Sequence, residues 1–227
     1  MSKALAALPG PHQEKFETRS LWAMRQIRAR SSTHDFAAEL ARLTPSSVVI
    51  DLGANVGKVT QQLAQYAGTV HAFEPEPWAH SQLLEATKGL SNVVVHQAAA
   101  GIKDGVIEFK RDPDFELRPE IHSQGTSIYN SMLWDDSQEA EVFQADIIDL
   151  RRFIRDLGCR VELIKIDIEG SEVNLLEGLV GTSEWDMIDA VFVETHECQI
   201  LELRDRTARL RQRLSGVKSP RVYLDWH

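Results

Sequence analysis

Cysteine is scarce in this chain: 227 residues include two, Cys159 and Cys198, far apart and outside any CxxC spacing. Neither a disulfide framework nor a zinc site follows from them, and both read as buried or incidental thiols. Long hydrophobic runs are missing too. Apolar residues make up 43% of the chain, yet no stretch approaches the roughly 20 residues that a membrane helix needs. The opening Met1 to Leu8 meets Pro9-Gly10-Pro11 too soon to supply the apolar core of a signal peptide. The expected location is the cytoplasm, with no membrane span. Positive charge is in deficit, since 25 Lys and Arg face 34 Asp and Glu for a net charge of −9. A nucleic-acid partner calls for a basic stripe over a basic total, so none is expected here. The arginine-dense segment Arg204 to Arg213 shares its helix with Glu202 and Asp205 and reads as a solvated face. Repeats, low-complexity tracts and interdomain linkers are absent as well. What remains is one domain over residues 46–227 behind a helical N-terminal extension over residues 1–45.

The chain alternates between two periodicities. Val48-Val49-Ile50 is a β-branched run ending at Asp51-Leu52-Gly53, and Val56, Val59, Leu63 and Tyr66 follow at helical spacing. The pattern then predicts a strand at Thr69 to Phe73, a helix at Pro77 to Lys88 and a strand at Val93 to His96. Further on come a helix at Leu150 to Leu157, a strand at Val161 to Ile166, a helix at Glu172 to Leu179 and a strand at Ile188 to Val193. A last helix, Glu197 to Leu214, leads to a strand at Val222 to Leu224. Alternation of this kind implies right-handed crossovers and a doubly wound, mostly parallel α/β sheet of Rossmann-like type. Two regions depart from it. Residues 12–43 read as helices broken near Ser31-Ser32-Thr33, with Ser32 or Thr33 as a cap for the second. Between the third strand and Leu150 lies an excursion of about fifty residues. It has extended pieces at Val106 to Lys110 and Glu141 to Ala145, and its residues 111–140, with Tyr129 and Trp134, are expected to contact a substrate.

Glycines after a buried strand let the backbone turn tightly against a ligand, and the following helix offers unpaired N–H groups. Asp51-Leu52-Gly53-Ala54-Asn55-Val56-Gly57 has that form and suits a nucleotide-like ligand. At the end of the next strand stands Phe73-Glu74-Pro75, where an acid can accept both hydrogen bonds of a ribose diol. A nicotinamide-dependent oxidoreductase and a methyltransferase would both use such a carboxylate. The loop lacks the G-x-G-x-x-G register of a pyrophosphate site, which favours a ligand without phosphates. A non-catalytic module that keeps only the cofactor pocket is the third reading.

Four segments in order, Val49-Ile50-Asp51-Leu52-Gly53-Ala54-Asn55-Val56-Gly57, Phe73-Glu74-Pro75, Lys165-Ile166-Asp167-Ile168-Glu169-Gly170-Ser171-Glu172 and Val193-Glu194-Thr195-His196, resemble the FkbM-type family of class I methyltransferases. The resemblance spans about residues 47–200. It implies S-adenosylmethionine as cofactor and O-methylation of a sugar or hydroxylated metabolite, so the partner is a small-molecule or glycan acceptor. Carried over, Asp51, Gly53, Asn55 and Gly57 line the methionine end, Glu74 holds the ribose, and Gln97, Ala98 and Ala99 lie near the adenine. The short C-terminus, Asp225-Trp226-His227, leaves little for the final antiparallel hairpin of that class.

Asp167 follows an apolar strand directly, so it sits at the carboxyl end of the sheet, where open α/β folds bind ligands. Glu169 is two residues on. Glu172 opens the next helix, where an acid also complements the helix dipole. Glu194 and His196 lie at the end of the neighbouring strand. Methyl transfer to a hydroxyl needs alignment and removal of a proton, and His196, Asp167 and Glu169 are the candidate bases. Convergence of Asp167, Glu194 and His196 over the reacting methyl group is expected, with His196 as a metal-free base favoured over a divalent metal.

Overall fold

The branched apolar runs become the interior of a parallel sheet. The computed structural model describes residues 32–111 and 141–226. Val48–Leu52 (β1), Thr69–Phe73 (β2) and Val93–His96 (β3) are its first strands. Between them and the later strands, Ala99–Gly101 (β4), Gly105–Arg111 (β5) and Glu141–Asp149 (β6) build a smaller sheet of order β4-β6-β5, in which β5 runs antiparallel to β6. Leu163–Ile166 (β7), Ala190–Val193 (β8) and Arg221–Tyr223 (β9) complete the main sheet, whose order is β3-β2-β1-β7-β8-β9 with every neighbouring pair parallel. All residues of β7 and β8 are buried, as expected of strands covered on both faces.

Helices alternate with the strands. Residues 32–40 form α1, followed by Lys58–Ala64 (α2), Pro77–Ala86 (α3), Leu150–Leu157 (α4), Glu172–Leu179 (α5) and Arg204–Leu214 (α6). Local chemistry sets their starts. Pro77 occupies the first turn of α3, and the Glu76 carboxylate accepts from Ala79 N at 2.6 Å. Asp149 caps α4 by accepting from Arg151 N at 3.0 Å, and Gly158 ends that helix in the left-handed region. Successive strand residues point to opposite faces. Ile50, Leu52, Ile164, Ile166, Val191 and Val193 therefore pack with α4, α5 and α6, whereas Val49, Val70, Leu163 and Phe192 pack with α1 and α2. Phe36 of α1 meets Phe192 edge-on at 5.0 Å and Trp226 at 5.2 Å. Glu39 closes this contact by accepting from Arg221 Nε at 2.5 Å and from the Tyr223 hydroxyl at 3.2 Å.

Several boundaries differ from expectation. β4 carries an Ala-Ala-Gly sequence with no β-branched signal, yet Ala99 and Ala100 pair with Ile147 and Ile148. The helix expected from Glu197 begins at Arg204, after the short 3-10 turn Leu201–Leu203, because Ile200 is extended. Glu197 instead binds Arg211 Nη2 at 2.9 Å. On the arginine-rich face, Arg206 and Arg213 bind Glu177 and the Val180 carbonyl at the exposed surface, and Arg211 is held by Asp225. The far edge of the sheet is the parallel strand β9, seated on β8. The rest of the expected N-terminal helices and the aromatic segment 112–140 lie outside the described residues. No helix among the described residues is long and apolar enough to cross a membrane.

Candidate active site

The carboxyl ends of β1, β2, β7 and β8 and one side of the smaller sheet enclose a cavity of about 860 Å³. Strand order arranges its walls. Ala98, Ala99, Ile107, Phe109 and Ile147 contribute apolar lining, Gly53, Asn55 and Glu74 line it after β1 and β2, and Asp167, Glu169 and Glu194 line it after β7 and β8 together with Lys165 and Trp226.

The middle is built by the turn after β1. Gly53 has φ +73°, and a Cβ there would lie 1.8 Å from the Asp167 carbonyl oxygen, so this turn passes directly against the end of β7. Gly53 N and Ala54 N both donate to the Phe73 carbonyl, at 3.0 and 2.9 Å. Asn55 is also left-handed, with φ 47°, and its N–H donates to Glu74 Oε2 at 2.8 Å. Glu76 N donates to the other oxygen at 2.8 Å. Burial pushes the Glu74 carboxyl up to about 7, against the pull of these two N–H groups.

Two expected cofactor contacts do not border the cavity. Asp51 is fully buried beneath the turn, accepting from Thr60 Oγ1 at 2.7 Å. Gly57, at φ +87°, faces α3: a Cβ would approach Leu83 Cδ1 at 2.9 Å. Its small size serves the packing of α2 on α3, and Asp51 organises the sheet behind the site. Gly53, Asn55, Glu74, Ala98 and Ala99 do face the cavity.

Lys165 escaped the sequence reading because it looks like one polar interruption in the apolar run Leu163-Ile164-Lys165-Ile166. That interruption was the available signal, since a charge inside a buried strand needs partners. Register places it beside Asp51 on β1. Its Nζ donates to the Gly53 carbonyl at 2.6 Å and lies 3.3 Å from Asp51 Oδ1 and 3.7 Å from Asp167 Oδ2. Burial opposes its charge, but Asp51 and Asp167 outweigh burial and hold the ammonium above its ordinary range.

The acidic end brings Asp167, Glu169 and Glu194 to the cavity but holds His196 behind them. His196 is 4% exposed and does not line the cavity. Its Nδ1 lies 2.9 Å from Glu172 Oε1, and its Nε2 lies 3.2 Å from Glu169 Oε2 and 3.8 Å from Asp167 Oδ1. Burial disfavours its charge, yet Glu172 and Glu169 raise it well above the usual histidine range. Both nitrogens are thus turned to carboxylates, which corrects the expectation of a free imidazole base in contact with the acceptor. Burial pushes Asp167 up to about 7, opposed by Lys165 and reinforced by Glu194 and Glu169. Glu172, expected to serve its helix, is a fully buried partner of His196 that also accepts from Ile168 N at 2.9 Å and Gly170 N at 3.0 Å.

The profile of the methyltransferase FkbM domain matches residues 51–216. The chain is similar to Methyltransferase 1 of Beauveria bassiana (strain ARSEF 2860), 28% identical over 174 residues that cover 70% of this chain and 69% of that protein. It is also similar to methyltransferase sdnD of Sordaria araneosa, 26% identical over 189 residues covering 72% of this chain and 71% of that protein. The crystal structure of methyltransferase FkbM from Methylobacillus flagellatus KT aligns at 22% identity over 60% of this chain and 29% of its own, with a TM-score of 0.36. Because the family match takes in the glycine turn, Glu74, the smaller sheet and the whole acidic end, the chain belongs to the FkbM-domain methyltransferases.

Proposed function

We propose that this methyltransferase moves a methyl group from S-adenosylmethionine to a hydroxyl of a sugar-like or otherwise hydroxylated acceptor, a small molecule or a glycan. The observation that carries the reading is one cavity lined by the apolar residues of the smaller sheet, by the acids after β7 and β8 and by the buried Glu74 after β2. The chain's residues suit this cofactor. Each Glu74 oxygen takes one backbone N–H, which leaves acceptor capacity for a ribose diol. Ala98 and Ala99 leave room for a flat ring, with Ile107, Phe109 and Ile147 as its apolar surroundings. Glu74 on β2 and Asp167 on β7 are two strand spacings apart, roughly 10 Å, so a nucleoside at one end and a reacting centre at the other fit the same crevice. S-adenosylmethionine bound there supplies an electrophilic methyl group on a sulfonium.

Asp167, Glu169 and Glu194 orient the acceptor hydroxyl, and a carboxylate of this group takes its proton as the new C–O bond forms. Lys165 keeps the Gly53 turn and Asp167 in register. Residues 46–227 form the catalytic unit in this reading, with residues 1–45 as an accessory extension. The test pairs two measurements. S-adenosylhomocysteine should raise the melting temperature and NAD should not, since a ligand selective for the folded state stabilises it. Methyl-labelled cofactor should then transfer label to oxygen in a panel of hydroxylated acceptors. A shift with NAD alone, or label delivered only to nitrogen or carbon, rejects the reading.

A further inference from the structure

We propose that Asp167, Glu169 and His196 bind one divalent ion of the Mn²⁺ type at the acidic end of the cavity, with Glu172 orienting the imidazole. The inference rests on the reading of that end as the acceptor side. Each of the three side chains offers a ligand atom, and these atoms lie within 4.8 Å of one another. His196 Nε2 is 3.2 Å from Glu169 Oε2 and 3.8 Å from Asp167 Oδ1. Donors about 2.1 to 2.2 Å from a divalent ion stand about 3.0 Å apart at right angles and about 4.3 Å apart across it. Both distances from the imidazole fall inside that range, so an ion can enter with small side-chain adjustments.

Two independent features point to a missing partner. Asp167 Oδ1 is buried without a hydrogen-bond partner and faces His196, while the other oxygen, Oδ2, faces Lys165 at 3.7 Å. Behind the imidazole, Glu172 sits 2.9 Å from Nδ1 and is itself held by Ile168 N and Gly170 N. The contact is one of charge, since Nδ1 makes no aligned hydrogen bond, and it leaves the ring's other nitrogen turned to Asp167 and Glu169, as a carboxylate does behind metal-binding imidazoles. The His196 side chain is 5% exposed, so only the face toward Asp167 and Glu169 is available to a ligand.

The donor set narrows the ion. Imidazole nitrogen suits transition ions, whereas Mg²⁺ and Ca²⁺ prefer all-oxygen sites, and a mixture of one imidazole and two carboxylates favours an ion such as Mn²⁺. Asp167 and Glu169 both border the cavity, so the remaining coordination positions open toward the acceptor. The ion holds the acceptor oxygen in line. The methyl carbon leaves the sulfonium sulfur for that oxygen, the hydroxyl proton passes to Glu194 and then to solvent, and the ion keeps its oxidation state.

The test is titration of the full chain with Mn²⁺ alone, following free Mn²⁺ by electron paramagnetic resonance, with and without S-adenosylhomocysteine. One ion per chain is expected. Glu169→Gln and Glu172→Gln should each weaken it by about 10- to 100-fold, and His196→Ala should abolish it. Glu169 is partly exposed, so its variant remains informative even if His196→Ala fails to fold, and unchanged S-adenosylhomocysteine affinity in calorimetry reports an intact domain. No Mn²⁺ uptake by protein that binds S-adenosylhomocysteine, or equal uptake by folded parent and variants, overturns the site. Mn²⁺ uptake lost in these variants from a parent that ignores S-adenosylhomocysteine upholds the site and rejects the cofactor reading instead.

Discussion

Glu74 shows how a single side chain can be set against the stability of its own fold. It is 6% exposed, and burial raises its carboxyl to about 7. In the free protein the folded state therefore holds this proton more tightly than the unfolded chain does. The stability contribution is complete below the ordinary glutamate range and is lost as pH rises through about 7, a change of up to roughly 3 kcal/mol. In the proposed reading cofactor binding runs the other way, because a ribose diol needs the ionised acceptor. Affinity for S-adenosylhomocysteine should climb between pH 6 and pH 8, while chemical denaturation of the free protein shows falling stability. In Glu74→Ala the affinity trend should disappear and the stability trend should shrink to what Asp167, also raised to about 7, contributes, and a cofactor affinity that ignores pH would contradict the assignment. At pH 8 the same substitution should cost about 1 to 3 kcal/mol of binding, the scale of charge-assisted hydrogen bonds lost to a buried partner, measured by titration calorimetry.

Strands β1 and β7 meet the cavity as one structural unit. Lys165 on β7 donates to the Gly53 carbonyl and lies beside Asp51 and Asp167, so one ammonium joins two strand ends. Lys165→Met leaves two acids without their cation, and removing one partner of a buried ionic group costs about 3 to 5 kcal/mol. Urea unfolding should show that loss. The glycine turn is equally tied to packing. In Gly53→Ala the new methyl carbon falls 1.8 Å from the Asp167 carbonyl at a positive φ, so the strand ends must separate. Stability should drop by more than about 3 kcal/mol, since overpacking and a strained backbone act together. A stable Gly53→Ala protein that lacks only cofactor affinity would mean the turn is shaped for the ligand and not for β7.

At the scale of the whole molecule, α1 is joined to the candidate active site through an aromatic contact. Phe36 of α1 touches Phe192 in the sheet and Trp226, and Trp226 borders the cavity beside Lys165. Phe36→Ala should therefore lower stability by about 3 to 5 kcal/mol, as for other large truncations in a core. Because Trp226 loses its support, catalysis should weaken at the acceptor side, seen as a raised acceptor KM with cofactor affinity kept. Equal losses in both constants would place the effect on the sheet as a whole.

Local pattern determined the larger part of this protein. The alternation of apolar runs and helical spacing specifies the parallel sheet, because buried strands and amphipathic helices have different periods, and the glycine turn, Glu74, Asp167 and Glu194 follow from their places at strand ends. Their separate duties were decided by packing. Asp51 and Gly57 share the motif that carries Gly53 and Asn55, yet side-chain alternation buries Asp51 under the turn and helix contact turns Gly57 toward Leu83. His196 looks like a free base in the chain, but only the approach of the Ile168 to Glu172 loop reveals that carboxylates meet both of its nitrogens. Lys165 became legible once register set it beside Asp51. Strand ends are local and can be read along the chain; which side chains meet there depends on register and on loops from distant segments, which tertiary structure alone brings together.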